Sequence, residues 1–407
     1  MVYELKPPVG ASPGLLVFTH KERGFFLDAP PVVESRLRRL RDRYVVGMQW
    51  GRYHEGVGET PFVDFHLACP GTVRFREDAD VRRIPMCSRD FTPSRFRPMD
   101  VPKRWDVLAV GHPIRDKRMS ELLDVVRMTL DSGVDLSVLL ICAIPDSPDR
   151  LGGYWDTEFF EKYQQSFSRE ERAEIHLAAP VEAEFGDRPL HPIPNEVFPY
   201  LYNASRGFAL FSREEGQSKV IHEALLCGTP VVVHEGLRGG GRDYLDERNS
   251  IQFGSLDEAR DAFVDLAEDG EAHAFDPSYL RPKLAADRTA PKLEAAVESV
   301  YEELGSEYRG EMETEDLAFK LGGHTLTLRP ELRSGNTNDL PSRRALVTYV
   351  DELLGGNPSV FDQFRATRAD LRSTGVTGVV GPLLRRVERG TGVPVADAAG
   401  RLYGRVR

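Results

Sequence analysis

The stretch that decides the fold is residues 211–233, FSREEGQSKVIHEALLCGTPVVV. An apolar strand ends near Ser212 and is followed by a short polar loop, an amphipathic helix, a Gly-Thr-Pro turn and a second apolar strand. Two apolar strands joined through a helix form a parallel βαβ unit. The segment therefore predicts part of a Rossmann-like sheet, with its polar loop at the carboxyl end of the first strand.

The same alternation extends outward over residues 106–266. Continuous apolar runs are typical of parallel strands buried on both faces, and amphipathic helices lie between them. The predicted strands are residues 106–111, 136–144, 173–179, 207–212, 230–234 and 250–253. We expect a doubly wound sheet whose ligand binds at the carboxyl ends of the strands, where the strand order reverses.

The first hundred residues are less regular. Strands are predicted at residues 15–19, 45–50, 62–68 and 82–87. The gaps between the later strands are short for parallel crossovers, which need about a dozen residues or more. This lobe is therefore either a reduced Rossmann unit or partly antiparallel. A proline-rich segment, residues 91–102, indicates a hinge.

The C-terminal third contains one strong helical pattern, residues 282–304, which we expect to close the middle domain. Beyond Gly310 the periodicity weakens, with helices predicted at 343–354 and 360–371. The last residues are locally basic, which is typical either of a solvated face or of docking to a membrane surface. The predicted domains are thus 1–100, 101–309 and 310–407.

Composition and charge restrict the class of protein. Of the 407 residues 41% are hydrophobic and 29% charged, as in a soluble globular chain. A net charge of -11 argues against a general nucleic-acid binder. No apolar run approaches the ~20 residues that a membrane span requires, and the N-terminus does not resemble a signal peptide. We expect an intracellular protein.

The cysteines are widely separated and none belongs to a CxxC pair. We expect buried free thiols in a reducing compartment, since a structural zinc site requires closer spacing. They are Cys69, Cys87, Cys142 and Cys227.

Two glutamates in the quoted stretch are candidates for chemistry. Glu215 lies in the loop after the strand, and Glu223 lies one to two turns into the helix, beside Lys219. Gly216 would let a ligand approach the backbone, and Ser218 is a candidate helix cap. Glu223 at the rim of a cleft would accept two sugar hydroxyls. Alternatively it makes only an i,i+4 ion pair with Lys219, worth a few tenths of a kcal/mol.

This stretch resembles the signature of the retaining glycosyltransferases of the large family 4 group, which have the GT-B fold. The residues that match in register are Glu215, Gly216, Glu223, Ala224, Cys227, Gly228, Pro230, Val231 and Val232. The resemblance implies that Glu223 holds the ribose hydroxyls of the nucleotide and that Glu215 lies against the donor sugar. It also implies that backbone amides of Gly216, Gln217 and Ser218 meet the diphosphate or the sugar.

A second family element follows the first strand of the middle domain, as VGHPIRDKR at residues 110–118. Lys117 falls at the position of the family's lysine, His112 replaces its arginine, and Arg115 is close enough to stand in. A departing nucleoside diphosphate needs positive charge. The alternative is an ordinary solvated helix start, although cations there oppose the helix dipole.

The first lobe carries little of the resemblance and is about half of the family's usual length. Family members often have a histidine near the reacting carbon, and His20 and His66 each end an apolar strand. A histidine after a strand is also commonly structural. There is no phosphate-binding P-loop and no GxGxxG motif after a strand. The DxD triplet at residues 78–80 fits a charged turn better than a metal site, so no metal is expected.

The sequence therefore predicts an α/β glycosyltransferase of the GT-B type, with two Rossmann-like lobes facing a cleft. Residues 1–100 form a reduced acceptor-side lobe, 101–309 the donor-binding lobe and 310–407 a mostly helical extension of unknown role. The resemblance implies that sugar passes with retention from a nucleoside diphosphate sugar to a glycan or lipid-linked acceptor, and we expect no metal or cofactor. The expected setting is surface glycan or glycolipid assembly in the cytoplasm, with possible peripheral contact at the inner membrane face.

Two alternatives are left open. The short first lobe and the missing arginine are compatible with a non-catalytic GT-B-like subunit that keeps nucleotide binding. A nucleotide-sugar epimerase would need a carboxylate-rich first lobe, which the sequence does not offer.

Overall fold

The structure is a computed structural model that describes residues 2–29, 31–69, 71–142, 156–178, 183–185, 188–190, 196–315 and 317–321. The helices predicted at 343–354 and 360–371, and the basic C-terminal run, lie outside the described residues.

No helix in the described part of the chain is long and apolar enough to cross a bilayer.

The first lobe is built on a mostly parallel sheet. Its strands are β1 Val2–Lys6, β2 Gly14–Thr19, β3 Tyr44–Gln49, β4 His54–Val57, β5 Phe65–Leu67, β6 Val73–Phe75 and β7 Arg83–Ile84. The sheet has the order β1-β2-β3-β5-β7, while β4 and β6 pair with each other. Only β1 is antiparallel to its neighbour. The lobe is thus a reduced parallel unit with one antiparallel edge, which combines the two sequence-based alternatives.

One face of this sheet is covered by two helices and by the β4–β6 pair. The helices are α1 Arg23–Leu27 and α2 Pro31–Arg41. Val57, Val73 and Phe75 join the same apolar cluster as Phe26 and Leu37. The short connections after β3 and β5 therefore cover the sheet with strands where longer crossovers would use helices.

The opposite face is covered by the long helix α10, Ala286–Glu303. Leu293, Val297 and Tyr301 of α10 belong to one buried cluster with residues of β1, β2, β3 and β5. The prediction that this helix closes the middle domain is wrong, because it completes the core of the first lobe. An amphipathic pattern shows that a helix has a buried face, but it does not identify the core against which that face packs.

The chain after α10 stays on the first lobe. The amide of Glu313 donates to the carbonyl of Leu5, and helix α11, Leu317–Lys320, follows. The fully buried Lys6 donates to the carbonyls of Pro13 and Arg309, each at 2.8 Å. Its ammonium also lies over the rings of Tyr301 and Tyr308. Lys6 therefore fastens the C-terminal crossing to the first strands.

The second lobe contains a six-stranded parallel sheet. Its strands are β8 Trp105–Gly111, β9 Val138–Cys142, β10 Ile175–Ala178, β13 Ser205–Leu210, β15 Val231–His234 and β17 Ser250–Phe253. Two small pairs accompany it, formed by β11 Ala183–Phe185 with β12 Arg188–Leu190 and by β14 Glu214–Gln217 with β16 Arg238–Gly240. The sheet order is β10-β9-β8-β13-β15-β17, which numbers 3-2-1-4-5-6 within the lobe and is the doubly wound Rossmann order.

Helices cover both faces of this sheet. They are α3 Met119–Asp131, α4 Thr157–Ser166, α5 Glu171–Glu174, α6 Phe198–Asn203, α7 Lys219–Leu226, α8 Leu256–Asp269 and α9 Arg281–Leu284. Side chains of α3, α4 and α8 form the core on one face, and those of α6, α7 and α9 form the core on the other. The predicted α/β architecture, two Rossmann-like lobes facing a cleft with a reduced first lobe, is confirmed.

Candidate active site

The position of the site follows from the strand order of the second lobe. The order reverses between β8 and β13, which are adjacent in the sheet and lead in opposite directions. Ligands of doubly wound sheets bind in the crevice outside the carboxyl ends of such a pair. The chain segments at this point are residues 112–118 after β8 and residues 211–218 after β13.

An ion pair joins these two segments. Lys117 lies in a short 3-10 turn after β8, and its ammonium is 2.5 Å from Oε1 of Glu215 in β14. The Glu215 side chain is 8% exposed and that of Lys117 is 27% exposed. The two residues are far apart in the chain, and the sequence analysis places both in one site. A partly accessible cation beside a buried carboxylate thus lies at the switch point.

The two arginines after β8 line a separate cavity. Arg118 has a left-handed backbone, with φ of 53°, and its side chain pairs with Glu121. A cavity of about 230 Å³ is lined by Arg115, Arg118, Ser120, Glu121, Asp156 and Glu158. Exposed Arg115 therefore lines a cavity to which neither Lys117 nor Glu215 contributes. His112 is half-buried in the loop between β8 and the 3-10 turn.

The loop that carries Glu215 is held as a short strand. β14 pairs with β16, and Gly239 opposite Glu215 has φ of 92°. A Cβ at Gly239 would come within 1.8 Å of the Glu215 carbonyl oxygen, so only glycine allows this close pairing. The sequence analysis predicts a loop here. The strand arises from a contact with residues more than twenty positions later, which local patterning does not reveal.

Gly216 is where the two lobes touch. A Cβ at this position would lie 2.2 Å from the carbonyl oxygen of Gly51 and 2.7 Å from the Cα of Arg52. Thr72 of the first lobe also donates to the Gly216 carbonyl at 3.3 Å. The sequence analysis predicts that a ligand approaches the backbone at Gly216. In this conformation the backbone of the first lobe lies there instead.

We expect Gly216→Ala to lower the thermal unfolding midpoint, because the added methyl group forces the lobes apart at Gly51. Overpacking of this kind costs about 1–3 kcal/mol. Differential scanning calorimetry would measure the change. Gly24→Ala is the control, since a Cβ there meets nothing within 4 Å. An unchanged midpoint in Gly216→Ala would contradict this close packing of the lobes.

Gln217 makes a polar link between the lobes at both ends of its side chain. Its amide nitrogen donates to the carbonyl of Trp50, and its amide oxygen accepts from the hydroxyl of Ser88. Both ends of the Gln217 side chain are therefore engaged by the first lobe.

A buried arginine forms a second link. Arg89, 1% exposed, extends from the first lobe and pairs with Asp243 at 3.3 Å. Its carbonyl lies 3.1 Å from Nδ1 of His222 in α7. Its Nε and Nη1 atoms have no hydrogen-bond partner among the described residues.

Ser218 precedes α7 but does not cap it. Its side chain makes no capping hydrogen bond and is 3% exposed, and its hydroxyl has no partner in the described part of the chain. The prediction of a Ser218 cap is therefore wrong. The Ser218 backbone has φ of -76° and ψ of 86°, outside the fully extended range of a typical N-cap residue.

Glu223 is half-buried on α7, in a strongly desolvated position. The hydroxyl of Tyr202 donates to its Oε2 at 3.1 Å. Burial raises the pKa of Glu223, and the nearby Lys219, Tyr202 and Arg95 oppose that rise. Burial also lowers the pKa of Lys219 to about 8, and the Lys219 ammonium donates to the carbonyl of Ala318 at 2.9 Å. Glu223 thus belongs to a polar group that includes the C-terminal crossing segment.

The two candidate histidines have different surroundings. His20 is half-buried at the end of β2, and its Nδ1 accepts from the amide of Gly51 at 3.0 Å. His66 is 2% exposed, and its Nδ1 accepts from the indole of Trp50 at 3.0 Å. Burial is the largest cause that lowers the pKa of His20 to about 3 and that of His66 to about 4. Both rings are therefore neutral with the proton on Nε2, and only His20 adjoins the contact between the lobes.

The fold brings two of the cysteines together despite their spacing. Ligand atoms of Cys69, Cys87 and Asp90 lie within 4.8 Å of one another and are buried. Cys69 is hydrogen-bonded to Asp90 at 3.1 Å, and the Tyr244 hydroxyl donates to Asp90 at 3.0 Å. A structural zinc site needs four ligands, and the described residues supply three beside the Arg89 guanidinium. We therefore assign this group as a hydrogen-bonded contact between the lobes.

Sequence reasoning missed the first-lobe residues that border the site. They are Trp50, Gly51, Arg52 and Ser88. Trp50 to Arg52 follow an apolar strand whose carboxyl end faces the crevice, and that position was the available signal.

Comparisons with known proteins give similarities of fold at low identity. No protein-family model matches the sequence, and no curated protein is detectably similar. TarM of S. aureus, solved with UDP, has 10% identity over 70% of this chain and 55% of its own, at a TM-score of 0.47. The pneumococcal O-GlcNAc transferase GtfA, with UDP and GlcNAc, has 12% identity over 63% and 53%, at 0.43. HepE of Anabaena, with UDP and glucose, has 12% over 70% and 78%, at 0.44.

This chain thus spans slightly more than half the length of TarM and GtfA. Identities of 10–12% indicate a similarity of fold and do not establish function. The function proposed below rests on the geometry of the site.

Proposed function

We propose that this protein is a glycosyltransferase that moves a sugar from a nucleoside diphosphate sugar to an acceptor. The observation that carries the proposal is the Lys117–Glu215 ion pair at the switch point of a Rossmann-ordered sheet. Such a crevice suits a nucleotide, and a cation there suits its diphosphate. The signature residue Glu215 lies on the segment after β13, and Glu223 lies on helix α7, which follows that segment.

The proposed chemistry assigns one task to each group. The bond between the anomeric carbon and the β-phosphate oxygen breaks, and its electron pair stays on the phosphate. The Lys117 ammonium stabilises that charge, while Glu215, released from Lys117, faces the donor sugar. Glu223 accepts the ribose hydroxyls. The acceptor hydroxyl approaches the anomeric carbon from the face that the phosphate leaves, its oxygen bonds to that carbon and its proton passes to the leaving phosphate. The configuration is therefore retained without a metal.

The proposed acceptor is a glycan or a lipid-linked glycan. The setting that the family resemblance implies is surface glycan or glycolipid assembly at the cytosolic face of a membrane. His20, which adjoins Gly51 at the contact between the lobes, is the acceptor-side histidine of this proposal.

The second candidate is a non-catalytic nucleotide-binding subunit. The specific observation in its favour is that Gly216 and both ends of the Gln217 side chain are engaged by the first lobe. A transferase must open these contacts to bring the donor sugar and the acceptor together, whereas a subunit that performs no transfer can keep them closed.

A nucleotide panel tests the proposal. We expect one of UDP, GDP, ADP, CMP and dTDP to raise the thermal midpoint, because ligand at 100 times Kd adds about 2.7 kcal/mol of stability. The matching nucleoside, which lacks phosphates, is the control and should shift the midpoint much less. The corresponding sugar nucleotide should then be hydrolysed slowly without acceptor.

The outcomes separate the two candidates. Binding without any turnover of the sugar nucleotide would favour the non-catalytic subunit. Well-folded protein with no response to any nucleotide would contradict both.

A further inference from the structure

A group of cationic and imidazole side chains surrounds Trp50 at the carboxyl ends of β2 and β3. We call it the Trp50 cluster, and its members are His20, Lys21, Arg23, Arg52 and His54. The carboxyl ends of the parallel first-lobe strands face the cleft. The cluster is therefore the first-lobe wall of the candidate site.

The geometry of the cluster is defined by ring contacts. His20 stacks on Trp50 with centroids 5.9 Å apart, and His54 meets the indole edge-on at 5.1 Å. The guanidinium of Arg23 lies 5.9 Å from the indole centroid. Nε2 of His54 is buried and has no hydrogen-bond partner within the described ranges. These contacts fix His20, His54 and Arg23 around Trp50, and Lys21 and Arg52 adjoin His20 and Gly51 in the chain.

The five members of the cluster include three cations and no carboxylate. Lys21, Arg23 and Arg52 make no ion pair with any carboxylate in the described part of the chain, although the chain as a whole has a net charge of -11. Burial lowers the pKa of Lys21 and the charge of Arg52 lowers it further, so these cations destabilise each other.

The surrounding acids already have partners. Glu22 accepts from the hydroxyl of Thr19, and Glu214 pairs with Arg238. The arginines of the adjacent strand and turn are also paired, Arg74 with Glu55 and Arg76 with Asp78. The half-buried Lys21 has no ion-pair partner among the described residues, which costs free energy that a bound anion would offset.

The cluster directly borders the loop that carries Glu215. A Cβ on Gly216 would meet the Cα of Arg52 at 2.7 Å and the Gly51 carbonyl at 2.2 Å. Lys117 supplies positive charge on the second-lobe side of the same crevice. The Trp50 cluster is thus a second cationic group, on the lobe opposite the proposed diphosphate.

We propose that the acceptor carries a phosphate group, and that Lys21 and Arg52 bind this group on the first-lobe side of the cleft. This inference rests on the proposed function and specifies its acceptor class. His20 has its Nδ1 occupied by the Gly51 amide, so it offers the Nε2 proton as a donor to the acceptor. His20 is then a positioning residue and not a base.

The test measures phosphate binding on the full chain by thermal shift, in the absence of nucleotide and in the presence of a saturating nucleoside diphosphate. The probes are inorganic phosphate, and fructose 6-phosphate against fructose. The variants are Lys21→Met and Arg52→Met. The matched control is Arg74→Met, which removes the same charge from a 75% exposed side chain of the same lobe.

We expect phosphate and fructose 6-phosphate to bind the nucleotide-saturated wild type and the Arg74→Met variant. Each cluster variant should weaken that binding about tenfold, the usual loss for one charged hydrogen bond. Fructose should bind at least about tenfold more weakly than fructose 6-phosphate, because it lacks the charged group. The affinity for the nucleotide should be the same in all variants.

Three results would overturn the inference. One is phosphate binding that Lys21→Met and Arg52→Met leave unchanged, and another is its complete absence. The third is phosphate binding that the nucleotide abolishes, with weaker nucleotide binding in both variants, since the cations would then serve the donor. If no nucleotide binds, the proposed function fails. The phosphate titration without nucleotide still tests the inference in that case, because it does not depend on nucleotide binding.

Discussion

Lys117→Met is expected to lower kcat by about two to three orders of magnitude, the usual effect of removing one group that stabilises transition-state charge. Donor affinity should fall less, because the charge on the leaving phosphate grows as the glycosidic bond breaks. Steady-state kinetics with the donor identified by the nucleotide panel would measure both constants. Lys117→Arg keeps the positive charge and should retain more activity than Lys117→Met.

The buried partner of Lys117 requires a separate control. Removing the lysine leaves the 8% exposed Glu215 carboxylate unpaired, which lowers stability. Adding Glu215→Gln to the Lys117→Met variant should therefore restore the thermal midpoint while kcat stays low. A folded Lys117→Met variant with the kcat of the wild type would exclude the leaving-group role.

The second large effect is expected at Glu223. Glu223→Ala should weaken nucleotide binding by about ten- to a hundredfold, the equivalent of about 1.5–3 kcal/mol for hydrogen bonds to a charged group. Isothermal titration calorimetry would measure the Kd. Glu223→Gln retains an oxygen that can accept from the Tyr202 hydroxyl, so it controls for loss of stability. Unchanged nucleotide affinity in Glu223→Ala would remove the ribose assignment.

The same role predicts a pH dependence. Burial raises the pKa of Glu223 above the ordinary glutamate value of 4.5. The carboxylate is the form that accepts hydrogen bonds from two hydroxyl groups, so nucleotide affinity should be full at neutral pH and be lost as the pH falls through the raised pKa. In Glu223→Gln this acid limb should disappear from the plot of Kd against pH.

Sequence predicts the six-stranded sheet of the second lobe closely, because its strands are mostly apolar runs bounded by turn residues. The strand predicted at residues 250–253 is observed as Ser250–Phe253, and that predicted at 106–111 as Trp105–Gly111. Buried parallel strands need no information from their neighbours to be recognised. The strand order then predicts where the ligand-binding crevice lies.

The first lobe depends on contacts that sequence does not display. Its edge strand Val2–Lys6 carries polar residues at alternate positions, and the β4–β6 pair consists of short segments that are strands only because they pair with each other. Helix α10 has the expected length, but the surface on which it packs is provided by the first-lobe sheet.

The site likewise contains residues that the sequence predicts and residues that it does not. The sequence places Lys117 and Glu215 in one site because each follows a recognisable strand of one sheet, and the structure pairs them. The contact of Gly216 with Gly51 and the Trp50 cluster are products of two lobes meeting. The residue pattern within one segment does not reveal a contact between the two lobes.

The course of α10 has a consequence for how the protein is made. The Tyr301 hydroxyl donates to the carbonyl of Gly14, across 287 positions of the chain. On the ribosome, the strands of the first lobe emerge long before the helix that covers one of their faces. The second lobe draws its core from consecutive segments and is complete earlier, since nearby contacts form faster than distant ones. The lobe that is synthesised first is therefore the last to fold, and its open apolar face is the part of the nascent chain that a chaperone would protect.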